Sequence, residues 1–507
     1  MKILFVQSES ESLSTELLSG YLKKNGHEVY LFFDPRLFAS SIISNNYLGR
    51  VFDIQDILLA RIRDLKPDII GFSVLTGDYQ WALNTASRIK SQFDIPIIFG
   101  GIHVTSTPER VISKGCIDII CVGEGEDPLL ELLNSMEDGH IDYTIKNLWF
   151  KSDGKIIRNE IRSLEQNLDK YPVLDKDLFI NEIPLLRRYY TTMFSRGCCY
   201  HCTYCCNNVL KESYKNKGKY LRVRSVEHSI KELIEAEKKY NPRIYCFADD
   251  MITAYKDWFR EFSTEYKRHI NKPYVCYTHP KFLNEEIGRL LKESNCLWLN
   301  LGLQTASEKT RKEVLRRVEN NDEIRKCADI CNRLSLRFSI DHIFDIPYEG
   351  EKEYIEAMNL YTEIHPTIIN TFYLTYYPMT DIIDTAIKAG ILIEEDRERI
   401  EEGKHFCVAT FNISNKKEGK DRIKMFNSYL FAFTLIPLVP QRLMKKIIDK
   451  GYYRHFKKVP GLFILFVKAL LRIKIGQIYL YTGEIKRLFF HIYRNLRLKW
   501  LYRLKSR

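Results

Sequence analysis

One loop limits this chain more than any other stretch: Phe194-Ser-Arg-Gly-Cys-Cys-Tyr-His-Cys-Thr-Tyr-Cys-Cys-Asn207. Cys198, Cys202 and Cys205 stand at C-x3-C-x2-C spacing directly after an apolar, β-prone run at 189–194. Thiolates crowded this tightly bind soft metals more readily than they serve packing. A structural zinc needs a fourth ligand, and no second Cys/His pair follows at finger-like distance. A disulfide is disfavoured in a reducing compartment. Three cysteine thiolates can also hold an iron–sulfur cluster and leave one iron open. Cys199 and Cys206 read as local packing beside these three.

The chain of 507 residues has room for two to four domains. At 45% hydrophobic and 28% charged it has the composition of a globular protein. Its thirteen cysteines form no paired framework. Only four apolar residues, 3–6, precede polar ones at the start, too few for a signal-peptide core. The expectation is a cytoplasmic protein. Charge is unevenly placed: residues 441–507 hold 18 Lys/Arg against two acids, while the rest is close to neutral. Such asymmetry speaks of partners rather than fold.

Residues 1–140 alternate short Ile/Val/Phe runs (2–6, 28–32, 68–74, 95–99, 118–122) with helical stretches (12–24, 53–65, 79–91, 108–114). That pattern predicts an α/β doubly wound parallel sheet with ligand sites beyond the carboxyl ends of its strands. Gly71-Phe-Ser73-Val-Leu-Thr76, Gly100-Gly101-Ile-His103 and Gly123-Glu124-Gly-Glu126 fall at such ends. None is a dinucleotide or P-loop fingerprint. Residues 141–187 are polar and read as an irregular linker. From 188 to 390 the alternation resumes, with strands expected at 189–194, 243–248, 273–279, 297–303, 336–343 and 368–375. Six β/α units suit a partial (β/α)6, TIM-like barrel whose chemistry sits at one mouth. The cysteine loop, Asp249-Asp250, His279, Gly302-Leu-Gln304 and Asp345-Ile-Pro-Tyr-Glu349 all end strands there.

The cysteine spacing, with Tyr204 before the last cysteine, resembles the signature of the radical S-adenosylmethionine (SAM) superfamily. Residues 1–140 resemble the cobalamin-binding domain found ahead of such cores, with Lys-Lys-Asn-Gly-His-Glu-Val, Lys-Pro-Asp-Ile-Ile-Gly-Phe-Ser-Val, Gly-Gly-x-His and Gly-Glu-Gly-Glu. The segment 7–12 departs from that pattern, offering no Asp-x-His-x-x-Gly loop and hence no histidine to cobalt. Tyr220-Leu-Arg-Val-Arg-Ser225, Phe247-Ala-Asp-Asp250, Gly302-Leu-Gln-Thr-Ala-Ser307, Arg317 and Phe344-Asp-Ile-Pro-Tyr-Glu349 resemble the cobalamin-dependent, class B methyltransferase-like subgroup. The resemblance implies a [4Fe-4S] cluster on Cys198, Cys202 and Cys205, with SAM chelated at the open iron. It places Tyr204 at the adenine, Asp249 or Asp250 at the amino group or ribose, Gln304 near the ribose, and Arg317 at the carboxylate. It places cobalamin against Ser73, Thr76, Gly100, Gly101, His103, Gly123 and Glu124, with His103 at a turn or cofactor edge.

The implied activity is formation of a 5′-deoxyadenosyl radical and C-methylation of an unactivated carbon in a small-molecule or lipid substrate. A flavodoxin- or ferredoxin-type donor would supply the electron. A radical cyclase or rearrangement enzyme is the nearer alternative; a non-catalytic zinc- and RNA-binding protein is the distant one. Radical tRNA methylthiolation is disfavoured, because that family's N-terminal three-cysteine pattern is missing.

Residues 391–507 read as a mostly helical region with a basic amphipathic tail. Its apolar runs, 429–440 and 459–467, are shorter than the ~20 residues of a membrane span. Residues 488–503 interleave aromatics and bases at helical spacing. A helical cap on the barrel with its charges in water, a helix on an anionic membrane at the inner face, and an RNA-binding segment remain open, nucleic acid being the least favoured.

Overall fold

Strands β1 (Lys2–Ser8), β2 (Glu28–Asp34), β3 (Ile69–Ser73), β4 (Ile97–Gly100) and β5 (Ile119–Cys121) pair in parallel. The computed structural model describes residues 1–39, 45–404, 416–474 and 478–505. Parts of the 391–507 region read as mostly helical, namely 405–415, 475–477 and 506–507, lie outside them.

Successive strand residues point to opposite faces. Leu4, Val6, Ile70, Phe72 and Phe99 enter one core, while Ile3, Phe5, Ile69, Ile98 and Ile119 enter another. A sheet covered on both faces needs near-continuous apolar runs, and the sequence supplies them. Each such buried side chain contributes roughly 1.5–3 kcal/mol. Helices Leu13–Lys24, Gln55–Leu65, Tyr79–Lys90 and Glu126–Glu137 form the outer layers. Ser12 starts the first of them, its hydroxyl accepting from the Thr15 amide.

The irregular linker expected over 141–187 is not what the structure has. β6 (Leu148–Ser152) and β7 (Lys155–Arg158) extend the first sheet antiparallel, giving the order β2-β1-β3-β4-β5-β6-β7. Farther along, the buried Lys176 ammonium lies 2.7 Å from both Glu11 and Glu16. That ionic contact pins the segment to the first helix.

The second sheet runs β15-β14-β13-β12-β11-β8, six parallel strands in all: β8 (Tyr189–Thr192), β11 (Ile244–Phe247), β12 (Tyr274–Thr278), β13 (Cys296–Gln304), β14 (Phe338–Phe344) and β15 (Ile368–Tyr373). β8 and β15 are its two edges, so the barrel stays open. A short antiparallel ladder follows β8, made of β9 (Ser195–Arg196) and β10 (Arg222–Val223). Beyond the barrel, Lys416–Leu435 packs Phe433 flat on Phe344 at 5.5 Å. Helices Gly461–Lys474 and Ile478–Lys505 complete the described chain. Among the described residues no helix is long and apolar enough to cross a membrane. The last helix does not cap the barrel. It lies on the first domain, where Arg494 donates to the Phe33 carbonyl and Asn495 to that of Phe52.

Candidate active site

All six barrel strands are parallel, so their carboxyl ends gather the expected residues at one mouth. The cysteine loop leaves β9 through Gly197, whose φ of +90° and a Tyr220 carbonyl 2.5 Å from any added Cβ leave no room for a side chain. Asp249, fully buried after β11, holds the loop's root: its Oδ1 accepts from the Phe194 amide at 2.9 Å, the Ser195 amide at 2.6 Å and the Ser195 hydroxyl at 2.5 Å. Burial nevertheless pushes its pKa up to about 6, and its Oδ2 has no partner.

Cys198 interacts electrostatically with Cys202, and Cys202 with Cys205. Burial raises Cys198 to about 12. Cys205 instead falls to about 7, because the Cys206 thiol and the Asn207 amide donate to its sulfur. Among the described residues every cysteine is a free thiol. Among the described residues no three His, Cys, Asp or Glu side chains are placed to hold a single metal ion, and ligands spread over separate irons of a cluster have no need to be. Three free thiols on one loop fit an iron–sulfur cluster.

Arg317 arrives from the loop after β13. Its guanidinium Nη1 faces the Cys202 sulfur at 4.0 Å and the Tyr204 hydroxyl at 3.3 Å. Nη2 donates to the Gly302 carbonyl at 2.5 Å, and Nε to Glu319 at 2.6 Å. Glu319 also meets His279 Nε2 at 3.0 Å, and the His279 ring lies 4.2 Å from that of Tyr200. Burial would raise the Glu319 carboxyl, yet His279 and Arg317 hold it down at about 2. Gln304 closes β13 at φ +70°, next to a register shift. A non-glycine residue in that region is strain of the kind that collects at functional sites.

A cavity of about 380 Å³ separates this mouth from the first sheet. Gly71, Ser73, Gly100, Gly101, Gly123 and Gly125 line one wall; Met193 to Gly197, Asn207, Tyr220 and Asp250 line the other. Glycine after glycine leaves the first wall almost bare backbone, with Leu17, Leu18 and Leu129 beside it. A bare wall with leucines alongside, and Arg196, Arg222 and Arg224 among the lining, fits a broad ring with polar edges. No histidine is among the residues that line it.

Several expected residues lie elsewhere. His103 and Thr76 are not on the cavity: Gly101, at φ +100°, turns the chain so that His103 is fully buried. There it packs 4.1 Å from the Tyr79 ring and bonds Thr76 at 3.2 Å. Burial lowers its pKa to about 4. Asp249 supports the loop rather than facing the cavity, while Asp250 lines it and accepts from Asn207 at 3.0 Å. Glu124 does line the cavity, but its carboxylate is committed to Arg222 at 2.6 Å and Arg196 at 2.9 Å. Arg196, Arg222, Glu319 and Tyr214 had no sequence expectation. Arg196 and Arg222 stand inside quoted motifs and Glu319 lies two residues from Arg317, while nothing local marks Tyr214, whose hydroxyl accepts from the Glu124 amide at 2.6 Å.

Residues 4–133 match the B12 binding domain family and residues 192–361 the radical SAM superfamily. An uncharacterised methyltransferase of Pyrococcus horikoshii is 25% identical over 341 residues, covering 66% of this chain and 72% of its own. The anaerobic magnesium-protoporphyrin IX monomethyl ester cyclase of Rubrivivax gelatinosus is 22% identical over 406 residues, 75% of this chain and 69% of its own. Among solved structures, the cobalamin-dependent SAM radical enzyme OxsB with aqua-cobalamin and SAM bound superposes with a TM-score of 0.66 at 16% identity, covering 98% and 83% of the two chains. The radical SAM methyltransferase TsrM of Kitasatospora setae gives 0.61 at 15% identity over 75% of each. These two likenesses are of fold.

Fold and matched domains together define a radical SAM enzyme. More narrowly, the chain belongs to the cobalamin-dependent radical SAM proteins, in which a B12 binding domain precedes the radical SAM core.

Proposed function

We propose that this enzyme methylates an unactivated carbon of a small-molecule or lipid substrate, using a [4Fe-4S] cluster, SAM and cobalamin. The observation that carries the reading is the shared cavity, whose glycine wall belongs to the B12 domain and whose opposite wall begins at the cysteine loop. Cys198, Cys202 and Cys205 would hold the cluster, and Gly100, Gly101 and Gly123 would lie against cobalamin. Arg317 Nη1 is the guanidinium nitrogen turned toward the cysteine loop, where a carboxylate would be met. When bound, cluster and SAM supply hydrogen abstraction from an unactivated carbon, and cobalamin supplies a transferable methyl group. The chain's own share is to orient these groups and keep water from between them. An external donor of flavodoxin or ferredoxin type and a reducing, cytoplasmic setting complete the reading.

Cyclisation or rearrangement without methyl transfer is the second reading, favoured by the similarity to the magnesium-protoporphyrin ester cyclase. Anaerobic purification and cluster reconstitution, with and without cobalamin, separate the two. Formation of 5′-deoxyadenosine together with S-adenosylhomocysteine is expected, and only in the presence of cobalamin for the second product. Deoxyadenosine without homocysteine product would replace methylation by cyclisation. A Cys202→Ala variant matching wild type would end the cluster assignment.

A further inference from the structure

The last two helices are built inside out. A surface helix ordinarily turns its apolar stripe to the protein and its charges to water. In Ile478–Lys505 four polar side chains of the stretch 486–504 turn inward instead. Arg494 donates to the Phe33 carbonyl at 3.1 Å and pairs with Glu182, and Asn495, fully buried, donates to the Phe52 carbonyl at 3.1 Å. Arg487 donates to the Glu9 carbonyl, and Lys499 to that of Val51 at 2.5 Å. The outer face carries Phe489, Tyr493, Leu496, Trp500 and Leu504, which are 66%, 64%, 50%, 61% and 53% exposed. Their spacing of three or four residues makes one continuous stripe along the helix.

Helix Gly461–Lys474 repeats the arrangement. Phe463, Leu465, Phe466 and Leu470 are exposed, while Lys468 reaches inward to the Thr371 hydroxyl on β15 at 3.0 Å. Desolvation there lowers its ammonium pKa to about 8. Two successive helices have thus buried cations and left aromatics and leucines in water, which costs free energy unless something covers the stripe.

Charge decides what covers it. Residues 441–507 carry 18 Lys/Arg and two acids. On the last helix the exposed Lys486 and Arg497 flank the stripe at i−3 and i+4 positions. A second copy of the chain would bring a cationic face against its like. RNA would use the bases but leave the leucines in water. An anionic bilayer satisfies both features at once, and no described helix is long enough to cross it. We propose that the outer face of these two helices docks on an anionic lipid bilayer, with the aromatic and leucine stripe at the acyl boundary and the flanking cations at the phosphates. The edge strand β15 of the open barrel is thereby held close to the bilayer. This inference is independent of the reaction the enzyme performs.

Flotation of the full chain tests it, with vesicles of phosphatidylglycerol and phosphatidylcholine against phosphatidylcholine alone. Wild type is expected to float with the anionic vesicles and to partition about tenfold less onto neutral ones. Phe489→Ser/Tyr493→Ser/Trp500→Ser removes only outward side chains and should lose flotation while keeping its melting temperature. Should that variant unfold, Lys486→Glu/Arg497→Glu serves instead, with about fivefold weaker partition expected per residue. Wild type left at the bottom of the gradient overturns the proposal, as does undiminished flotation of a folded variant. A wild-type dimer that the serine variant converts to monomer, or an RNA complex without flotation, would assign the face to that partner instead.

Discussion

The Arg317 guanidinium stands 4.0 Å from the Cys202 sulfur with Glu319 on its other side, 2.6 Å from Nε. Glu319 is in turn braced by His279, so a cation and an anion from the stretch after β13 and an imidazole from the end of β12 line up behind the cysteine loop. Arg317 is held above its ordinary range despite burial, by Tyr204 and Glu319. It therefore stays charged beside Cys202, one of the proposed cluster ligands.

A planar fork used on three sides cannot be replaced by a point charge. Arg317→Lys keeps the charge but loses the contacts to Gly302 and Glu319 together. The expected result is a drop in 5′-deoxyadenosine formation on the order of a hundredfold. Iron and sulfide content per chain should stay at the wild-type level, which separates a SAM-binding role from cluster assembly. Loss of iron along with activity would mean that Arg317 serves the loop's structure.

Gly101 gives a sharper test of the cavity wall. At φ +100° it occupies backbone space closed to other residues, and an added Cβ would sit 2.7 Å from the Val74 carbonyl. Gly101→Ala should destabilise the first domain by about 1–3 kcal/mol and abolish cobalamin retention on gel filtration. Gly77→Ala is the control, since nothing lies within 4 Å of its added methyl. Equal retention by both variants would remove the glycine wall from cobalamin binding.

What the sequence made legible is local, and what it hid is either polar or distant. The barrel and first-sheet strands read correctly because each is an apolar run with no rival period. β6 and β7 carry little sequence signal because Leu148–Ser152 and Lys155–Arg158 are short and half polar, as edge strands are. Their turn, Asp153-Gly154 with both residues at positive φ, was the hairpin signal available. The Glu319 brace carries no such signal: Arg317 is two residues away, but the imidazole that completes it, His279, lies forty residues upstream. The tail shows a third kind of limit. Its helical period was plain, but the inward face could not be chosen from the pattern, because backbone carbonyls of the first domain took the polar side.

Glu124 links the two domains, and its titration makes that link measurable. Burial alone would raise its carboxyl, but Arg196 and Arg222 hold it near pH 2 against an ordinary 4.5. A carboxyl depressed in the folded state adds stability that is complete above the unfolded pKa. That stability is lost as pH falls through the folded one. The clamp should therefore be fully present above about pH 4.5 and fade toward pH 2. Glu124→Gln keeps the shape and removes the charge, leaving two arginines partly uncompensated; it should cost about 3 kcal/mol at neutral pH. Urea unfolding of both proteins from pH 7 downward reads the difference directly. The gap between them is expected to be constant above pH 5 and to narrow steadily below it. A gap that stayed the same at every pH would mean that Glu124 acts by packing alone, and that the ion pairs with Arg196 and Arg222 do not hold the B12 domain to the barrel.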